Sequence, residues 1–470
     1  MTEHLPDFDA EIRSALGERG WQTAAEDMGR YSRDWLDRFG AAPLGIARPS
    51  STEEVAAAVK ICAAHGVTIS PQGGNTGLAG GSVLGPDDRG IILSLARMNR
   101  ILAVDPIDFT ASVEAGVVLQ TLHAALADMQ LSFPLHLGAE GSAQIGGLIG
   151  TNAGGSHAMR YGMMQDLVLG LEVVLPDGSV WNGARALIKD NCGYQLRRLF
   201  CGAEGTLGIV TRAVLRLFPA PVGRSTALLA VPNLAAAQEV GALLRSRTGE
   251  FLKAMEFFSE LGLGLACKHV PGLTSPLETR GPVYLLVEIS TSIPGMALDE
   301  ILENALAACF EAGSVIDGAI AANEAQRAAF WRLREEMPEG QRLEGPQIKH
   351  DVAAPVGRLA AFVAAASAGA EAVLPGVRIN PFGHLGDGNV HFNLTPPEGV
   401  ADFMGRQAEL SRAVYEAAIA HDGTISAEHG LGQAKVALAD RYRSGVERAL
   451  MRRIKAAVDP VALMNPGKII

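Results

Sequence analysis

Apolar and polar residues follow two repeating patterns along the first part of the chain, one typical of helices and one typical of strands. Apolar side chains recur every three or four positions from Val55 to Cys62, which predicts a helix with one buried face. Ser51 and Glu54 predict a capping box at the start of this helix. The next segment, VTIS, predicts a short strand that leads into a glycine-rich sequence, PQGGNTGLAGGS, at residues 71–82 (the first glycine loop).

The same patterns continue as strands, one helix and a second glycine-rich segment. GIILSLARM and TASVEAGV have the composition of strands, and VLQTLHAALADMQ has the period of a helix. The sequence GAEGSAQIGGLIGTNAGG at residues 138–155 forms the second glycine loop. DLVLGLEVVLPDGSVW predicts a hairpin that turns at Asp177-Gly178, and EGTLGIVTRAVLRLFP predicts a further strand.

Strand and helix patterns alternate again in the second half of the chain. ALLAVPNLAAAQEVGALLRS predicts a strand and a helix, as does PVYLLVEIS followed by LDEILENALAACFEAG. These elements predict an α+β sheet that helices cover on one face. Because 470 residues exceed one ordinary core, we expect two domains, at 41–221 and 222–445. An N-terminal helical segment, 1–40, precedes them, and a C-terminal segment, 446–470, returns to the first domain.

Composition and charge exclude several classes of protein. Hydrophobic residues make up 48% of the chain and charged residues 19%, which excludes a disordered protein. The net charge of -11 and the lack of a basic run disfavour a nucleic-acid partner. The sequence predicts neither a signal peptide nor a membrane span. Five scattered cysteines without a CxxC pair favour a reducing cytoplasm.

The two glycine loops predict a site for a phosphate-containing ligand. Neither G-x-G-x-x-G nor G-x-x-x-x-G-K-[ST] occurs in the required strand and helix context, so a nicotinamide site of the Rossmann type and a P-loop are disfavoured. Glycine amides of the first loop can form a concavity that binds an anion, with hydrogen bonds from Asn75, Thr76 and Ser82 to a pyrophosphate. The alternative is that these glycines only permit tight turns.

The segment VRINPFGHLGDGNVHFNLTP predicts a hairpin that carries two histidines. If Asp387-Gly388 forms a two-residue type I′ turn, His384 lies opposite His391 and both imidazoles project from one face with Asn393. Paired imidazoles suit a divalent metal, and a catalytic zinc site commonly adds a carboxylate, for which SAEHGLG supplies Glu428. The alternative is a purely structural hairpin. Apart from His429, which follows Glu428, the remaining eight histidines are expected to have ordinary surface or core positions: His4, His65, His123, His136, His157, His269, His350 and His421.

PQGGNTGLAGGS, GAEGSAQIGG with TNAGG, and AEGTLGIV together resemble the FAD-binding domain of the vanillyl-alcohol oxidase superfamily. The resemblance implies an α+β fold in which a two-subdomain FAD-binding domain is followed by an α+β substrate or cap domain. Asn75 stands where members with covalent flavin often have a histidine, so non-covalent FAD is implied. The residues then expected to contact FAD are Pro71, Gly73, Gly74, Asn75, Thr76, Gly77, Gly81, Ser82, Pro134, Gly141, Ser142, Gly147, Asn152, Gly155, Gly208, Ile209, Glu428 and Asn465.

GHLGDGNVHFN, SAEHGLG and the closing NPGK resemble, more narrowly, the FAD-linked D-2-hydroxy-acid dehydrogenases, which act on substrates such as D-2-hydroxyglutarate, D-lactate and glycolate. The resemblance implies that His384, His391 and Glu428 bind zinc, or another divalent metal such as manganese. It also implies that His429 is the catalytic base, in contact with the substrate.

Further residues match the substrate clamp of that family. They are Arg334 in RLREEMP, Lys349 in IKHD, and Asn393. One position departs from the family pattern, because Pro338 stands where a hydroxyl residue is usual and cannot donate a hydrogen bond. The substrate class is therefore better defined than the particular acid.

The resulting hypothesis is an FAD-dependent dehydrogenase in which a metal polarises the substrate hydroxyl, His429 takes its proton and flavin receives the hydride. D-2-hydroxyglutarate is the best candidate substrate, with D-lactate and glycolate as alternatives. A non-redox enzyme similar to alkylglycerone-phosphate synthases and a non-enzymatic flavoprotein subunit also stay open. The electron acceptor would be an electron-transfer flavoprotein, a quinone or a cytochrome, and a homodimer is possible.

Overall fold

A computed structural model describes residues 6–397 and 402–470, which form two compact units. Of the described residues, unit 1 comprises 6–155, 161–220 and 428–470, and unit 2 comprises 156–160, 221–397 and 402–427. His4, predicted to be an ordinary histidine, lies outside the described residues, as does the start of the N-terminal segment.

The division of the chain differs from the predicted domains at its second boundary. Residues 428–445 were expected in the cap domain and belong to unit 1. Hydrogen bonds join these residues to unit 1. The backbone amides of Leu431 and Gly432 donate to the Glu204 carboxylate. The Gln433 side chain donates to the backbone carbonyls of Gly80, in the first glycine loop, and Val83.

Unit 1 contains two main sheets. In the first sheet, the neighbouring strands are Trp21–Gln22, Ile46–Ala47, Gly90–Ser94 and Thr68–Gln72, and the last three are parallel. The second sheet is antiparallel, in the order Ile101–Asp105, Thr110–Glu114, Ile209–Arg216, Val168–Val174 and Val180–Gly183. A two-stranded ladder pairs Phe218–Pro219 with Leu131–Ser132. The strands predicted from sequence in this region are confirmed.

Helices pack on these sheets and close the main core of unit 1. The helices of this unit are Pro6–Leu16, Ala25–Ser32, Thr52–His65, Leu119–Ala127, Ile145–Gly150, Met164–Leu167, Leu196–Phe200, Val436–Tyr442 and Gly445–Val458, while Ala158–Tyr161 crosses the boundary between the units. The predicted face of Thr52–His65 is buried, and Ser51 Oγ accepts from the amide of Glu54. The capping box is incomplete, because the Glu54 carboxylate binds Ser50 instead of the Ser51 amide.

A buried lysine fixes the C-terminal helix Gly445–Val458 to its own unit. Lys455 Nζ donates to the Thr206 carbonyl at 2.6 Å, the Asp459 carboxylate at 2.5 Å and the Met464 carbonyl at 2.7 Å. The Asp459 side chain is fully buried and also accepts from the amides of Leu463 and Met464. Burial lowers the pKa of Lys455, and the charge of Asp459 opposes that shift.

Replacing Lys455 by methionine is expected to destabilise the protein by about 3–5 kcal/mol, because Asp459 would become a buried charge without its cation. Urea unfolding followed by tryptophan fluorescence measures this loss. Arg453→Met, an exposed change on the same helix, should alter the free energy of unfolding by less than about 0.5 kcal/mol. Equal stability of the two variants would contradict the proposed role of Lys455.

Unit 2 is built on one seven-stranded antiparallel sheet. The strands lie in the order Asp317–Ile320, Gly223–Val231, Val283–Thr291, Leu252–Ser259, Arg378–His384, Asn389–Thr395 and Asp351–Ala353. The helices are Leu234–Thr248, Glu260–His269, Leu298–Glu311, Glu324–Glu335, Met337–Glu344, Leu359–Val373 and Gln407–Ala420, with short 3₁₀ turns at Gly249–Phe251, Val356–Arg358 and Met404–Arg406.

Helices cover both faces of this sheet, so the prediction of one covered face was wrong. Consecutive residues of Gly223–Val231 and Leu252–Ser259 are buried, which means that both faces of the central strands need apolar cover. On one face, Phe330, Leu333 and Met337 pack with the sheet residue Phe258. The opposite face carries Met255 against Gly241 of the helix Leu234–Thr248.

One helical stretch of the described residues, Val356–Val373, is apolar and long enough to cross a membrane by length and composition alone. Leu359, Phe362, Ala366 and Ala370 are buried within unit 2. The ring of Phe362 lies 6.3 Å from that of Phe392 on the sheet. These residues form the buried face of the helix.

Candidate active site

The two glycine loops of unit 1 enclose a cavity of about 380 Å³. Residues 71–79 with Gly81 and Ser82 form one side, and parts of residues 137–154 form another. Gly208, Ile209 and Val210, at the start of a sheet strand, complete the wall together with Glu428 and His429. The cavity lies wholly within unit 1.

Backbone contacts between the loops require glycine at particular positions. A Cβ atom on Gly74 would lie 1.9 Å from the carbonyl oxygen of Ser142, and one on Gly432 would lie 2.0 Å from that of Ala79. Gly432 also has a φ of +47°, which L side chains rarely adopt. Backbone atoms cannot move away from such contacts without moving the cavity wall, so these glycines set its shape.

Twelve of the eighteen residues predicted to contact FAD line this cavity: Pro71, Gly73, Gly74, Asn75, Thr76, Gly77, Gly81, Ser82, Gly147, Gly208, Ile209 and Glu428. The other six, which are Pro134, Gly141, Ser142, Asn152, Gly155 and Asn465, lie outside its lining. Several of these six support the wall. Asn152 Oδ1 accepts from the Gln165 amide, and the Ser142 carbonyl packs against Gly74.

Two polar side chains of the first glycine loop bind protein groups. Ser82 Oγ donates to Asn75 Oδ1 at 2.7 Å, and Asn75 Nδ2 donates to the Arg33 carbonyl at 2.8 Å. Asn75 has a φ of +54°. These bonds hold the loop in its turn, and both residues line the cavity. Their hydrogen bonds to a pyrophosphate stay predictions, beside those of the backbone amides.

Asn465 is a buried residue that supports the first glycine loop from outside the cavity lining. Its Nδ2 donates to the carbonyls of Gly81 and Glu204 at 2.8 and 2.7 Å, and its Oδ1 accepts from Ser70 Oγ at 2.9 Å. The side chain is buried and its hydrogen-bonding groups are used by the protein. Asn465 therefore positions the first glycine loop and does not line the cavity.

Glu204 holds the segment that carries Glu428 and His429. Its two carboxylate oxygens accept from the amides of Leu431 and Gly432 at 2.7 and 2.9 Å. Burial raises the pKa of Glu204, and the two amide hydrogen bonds oppose this shift. Glu204 belongs to the AEGTLGIV motif, but its role could not be predicted from sequence, since a contact more than 220 positions away has no local signal.

The cavity fits FAD. Gly77 and Gly138 leave open space where a side chain would stand, since no described atom lies within 4 Å of an added Cβ at either position. Glycine amides and a mostly apolar wall of Leu95, Leu137 and Leu148 suit a pyrophosphate with flat ring systems attached.

In unit 2, the histidine hairpin has a different register from the one predicted. His384 pairs with Asn389 and His391 pairs with Phe382, around a four-residue turn at 385–388. The predicted two-residue type I′ turn was therefore wrong, because Leu385 leaves the ladder and bonds to the Met255 carbonyl on the neighbouring strand. A shift of two positions keeps both imidazoles on the same face, diagonal to each other, with ring centroids 6.3 Å apart.

Acidic side chains surround His384. Its Nδ1 lies 3.3 Å from Asp387 Oδ2, which favours a proton on Nδ1 and a lone pair on Nε2. Glu256 pairs with His384 across the ladder, and its Oε1 lies 3.8 Å from Nε2. We call the sheet surface that carries Glu256, His384, His391 and Asn393 the imidazole face.

Three buried polar atoms on this face have no hydrogen-bond partner among the residues that the structure describes. They are Glu256 Oε1 and both side-chain atoms of Asn389, which is the ladder partner of His384. Buried carboxylate and amide atoms cost free energy when nothing binds them. Imidazole nitrogens beside a carboxylate oxygen are ligands that a divalent metal accepts, so the residues fit a metal. Glu428, the third predicted ligand, lies in unit 1.

Arg334, on the helix Glu324–Glu335, contacts the imidazole face. Arg334 Nε donates to Glu256 Oε2 at 2.8 Å, and its guanidinium carbon lies 4.9 Å from the centre of the Phe382 ring. Among the described residues, its two Nη groups make no further hydrogen bond. Lys349 is exposed, and the pairs Ile348 with Leu394 and Asp351 with His391 place it opposite Asn393.

Pro338 lies at the start of the helix Met337–Glu344, where a missing amide proton costs nothing. One turn later, Gln341 is fully buried and its Oε1 accepts from Asn393 Nδ2 at 2.8 Å. Gln341 Nε2 has no described partner. Gln341, Glu256 and Asn389 were not predicted as site residues, because glutamine, glutamate and asparagine outside a motif carry no signal of their own.

Comparisons with known proteins match most of the chain. Residues 43–183 match the family model of the FAD binding domain, and residues 220–469 match that of the FAD linked oxidases, C-terminal domain. The D-2-hydroxyglutarate dehydrogenase of Xanthomonas citri pv. viticola is 38% identical, over 97% of this chain and 96% of its own. That of Stutzerimonas stutzeri is 37% identical over 95% of both chains, and the mitochondrial enzyme of Bos taurus is 36% identical over 95% of this chain and 80% of its own.

Solved structures show the same fold at lower identity. An alkyldihydroxyacetonephosphate synthase has a TM-score of 0.74 at 16% identity, covering 99% of this chain and 85% of its own. A p-cresol methylhydroxylase with substrate bound has a TM-score of 0.73 at 18% identity, covering 98% and 96%. A 4-ethylphenol oxidase from Gulosibacter chungangensis has a TM-score of 0.72 at 20% identity, covering 98% and 96%. The predicted two-domain FAD-binding fold is confirmed.

Proposed function

Because the chain belongs to the FAD-linked oxidases, and within them to the family of the D-2-hydroxyglutarate dehydrogenases, we propose that it oxidises D-2-hydroxyglutarate to the 2-oxo acid. The protein is an FAD-dependent dehydrogenase of 2-hydroxy acids. The observation that carries the choice of substrate is the 38% identity over nearly the full length of both chains.

The imidazole face supports a dicarboxylate substrate. The Arg334 side chain is held by Glu256 through Nε alone, so both Nη groups can form a bidentate pair with one carboxylate. Lys349 lies opposite Asn393 on the same sheet surface and supplies a second positive charge for the other carboxylate. D-Lactate and glycolate have only one carboxylate, so they would leave one of these cations unused.

In the proposed reaction, His429 accepts the proton of the substrate hydroxyl, since an imidazole titrates near neutral pH. Glu204 positions His429 by fixing the segment at 431–432. When bound, FAD supplies the hydride acceptor and a divalent metal held by His384, His391 and Glu428 supplies Lewis acidity. Asn393 is expected to orient the substrate, with Gln341 holding its amide.

The cellular setting is part of the same proposal. All five cysteines are free, including the exposed Cys192, which supports a reducing compartment such as the cytoplasm. A dehydrogenase of this kind passes electrons to a separate acceptor, for which an electron-transfer flavoprotein, a quinone or a cytochrome is proposed. We also retain a homodimer as the proposed assembly.

Lys349→Met is expected to lower kcat/KM for D-2-hydroxyglutarate by about 10- to 100-fold, because one charge-assisted contact to the second carboxylate is lost. The rate with D-lactate should change by less than about threefold, since that substrate lacks the group. Steady-state assays with an artificial acceptor measure both. Lys268→Met is the matched control, because Lys268 is an exposed lysine of the same unit that pairs with Glu344.

Equal losses with the two substrates would show that Lys349 does not recognise the second carboxylate. A parent enzyme that prefers D-lactate or glycolate over D-2-hydroxyglutarate would overturn the proposed substrate.

A further inference from the structure

Two histidines and a glutamate meet on unit 1 outside the cavity lining. His123 lies on the helix Leu119–Ala127, and His136 and Glu140 lie on the segment that follows it. One potential ligand atom from each of the three side chains lies within 4.8 Å of the others. His123 and His136 had been assigned ordinary positions from sequence, because thirteen residues separate them and no motif joins them.

The proton positions in this cluster call for a cation. His123 Nε2 lies 3.1 Å from the Phe133 carbonyl, which can only accept, so Nε2 carries a proton. A neutral His123 then directs the lone pair of Nδ1 at Glu140 Oε2, 2.9 Å away. Two lone pairs at that distance repel each other unless a proton or a metal ion lies between them.

His136 meets the same carboxylate from the other side. Its Nδ1 lies 3.2 Å from Glu140 Oε1, and the two imidazole centroids are 4.6 Å apart. If a proton supplies the positive charge, His123 must be an imidazolium, protonated on both ring nitrogens, beside the second imidazole ring. One divalent ion in place of that proton would bind both Nδ1 atoms and the carboxylate.

The distances suit zinc or a similar ion. Bonds of 2.0–2.1 Å in a tetrahedral site place neighbouring ligand atoms roughly 3.3 Å apart. His123 Nδ1 lies 2.9 Å from Glu140 Oε2 and His136 Nδ1 lies 3.2 Å from Oε1, so each nitrogen is near this distance from one oxygen of the shared carboxylate. Burial alone would raise the pKa of Glu140, but the hydrogen bonds and charges of His123 and His136 lower it to about 2, so the carboxylate is ionised at neutral pH.

We propose that His123 Nδ1, His136 Nδ1 and Glu140 form a second divalent metal site, selective for zinc-like ions and separate from the histidine hairpin. Three protein ligands leave a fourth position, and the 40% exposure of the His136 side chain gives water or a small anion access to it. The site does not depend on the substrate proposed above.

The position of this site connects it to the flavin cavity. The Glu140 carbonyl accepts from the Gln120 amide, and the Ala143 carbonyl accepts from the Leu119 amide. These bonds join the segment that carries His136 and Glu140 to the start of the helix Leu119–Ala127. Leu137 and Ala139, which come just before Glu140 in the chain, line the cavity. A bound ion would fix this wall by cross-linking the helix and the segment.

The test is metal binding to the FAD-loaded full-length protein. Zn²⁺ is titrated in competition with a chromophoric chelator, in the parent and in a His384→Ala/His391→Ala background that removes the hairpin imidazoles. The background protein is expected to retain one tight Zn²⁺ equivalent. In that background, His123→Ala and Glu140→Gln should each weaken this binding by at least about 100-fold, more than the loss of an outer hydrogen bond would.

His65→Ala is the matched control, because His65 also pairs with a carboxylate, that of Glu11 at 3.2 Å, in the same unit but without a third ligand. It should leave the binding unchanged. Glu140→Gln preserves the shape of the side chain. FAD content and circular dichroism check that each variant is folded. If one of the two ligand variants misfolds, His136→Gln is tested in its place. Absence of tight Zn²⁺ binding in the background protein, or equal binding by the folded ligand variants, would overturn the site.

Discussion

Replacing His429 by asparagine is expected to slow reduction of the bound flavin by a 2-hydroxy acid by about 10²- to 10⁴-fold. His429 lines the cavity beside Glu428, on a segment that Glu204 fixes through two backbone amides. Asparagine fills similar space but cannot accept the hydroxyl proton near neutral pH. FAD should stay bound, because the glycine loops that enclose it are unchanged.

Stopped-flow absorbance under anaerobic conditions measures this rate directly. His65→Asn serves as the control, since His65 pairs with Glu11 away from the cavity lining. The pH dependence adds a second readout, because the variant should lose the limb that reports deprotonation of the base. A His429→Asn protein that keeps its FAD and reduces it at the parent rate would remove His429 from the proposed mechanism.

The second large effect is expected at Gly74, where alanine should lower the affinity for FAD by about 10- to 100-fold. Its Cβ would lie 1.9 Å from the Ser142 carbonyl oxygen and 3.2 Å from the Ala143 Cα, so the two glycine loops must separate. Overpacking of this kind costs about 1–3 kcal/mol, and here the strain falls on the walls of the cavity itself.

Gly77→Ala is the matched control in the same loop, since its added Cβ meets no described atom within 4 Å. Flavin fluorescence during FAD titration of the apoproteins gives both affinities. The account requires the Gly74 variant to be the weaker binder. If the two variants bind FAD equally well, contact between the loops does not shape the site.

Local patterns predicted most of the elements, because the period of apolar residues reflects which face of a helix or strand is buried. The register of the hairpin could not be predicted in the same way. Asp387-Gly388 favours a two-residue turn, but the bond from Leu385 to the Met255 carbonyl on a neighbouring strand selects a four-residue turn. The prediction that both histidines share a face survived only because the shift is an even number of residues.

The residues of the candidate site form two groups, those that belong to sequence motifs and those that hold the motif residues in position. Glycines and histidines have recognisable motifs, whereas Glu204, Glu256 and Gln341 act through contacts with distant segments. For Pro338, the sequence and the structure indicate different roles. From sequence it interrupts a substrate clamp, and in the structure it begins the helix that brings Gln341 to Asn393.

The central claim is the oxidation of a D-2-hydroxy dicarboxylate by bound FAD. It is tested most directly by mixing the holoenzyme anaerobically with D- or L-2-hydroxyglutarate and following the flavin absorbance, before and after chelation and after restoring the metal. We expect the D isomer to bleach the flavin rapidly, the L isomer to leave it oxidised, and chelation to slow the D reaction until a divalent metal is restored. A flavin that D-2-hydroxyglutarate does not reduce, or that both isomers reduce equally, would contradict this account.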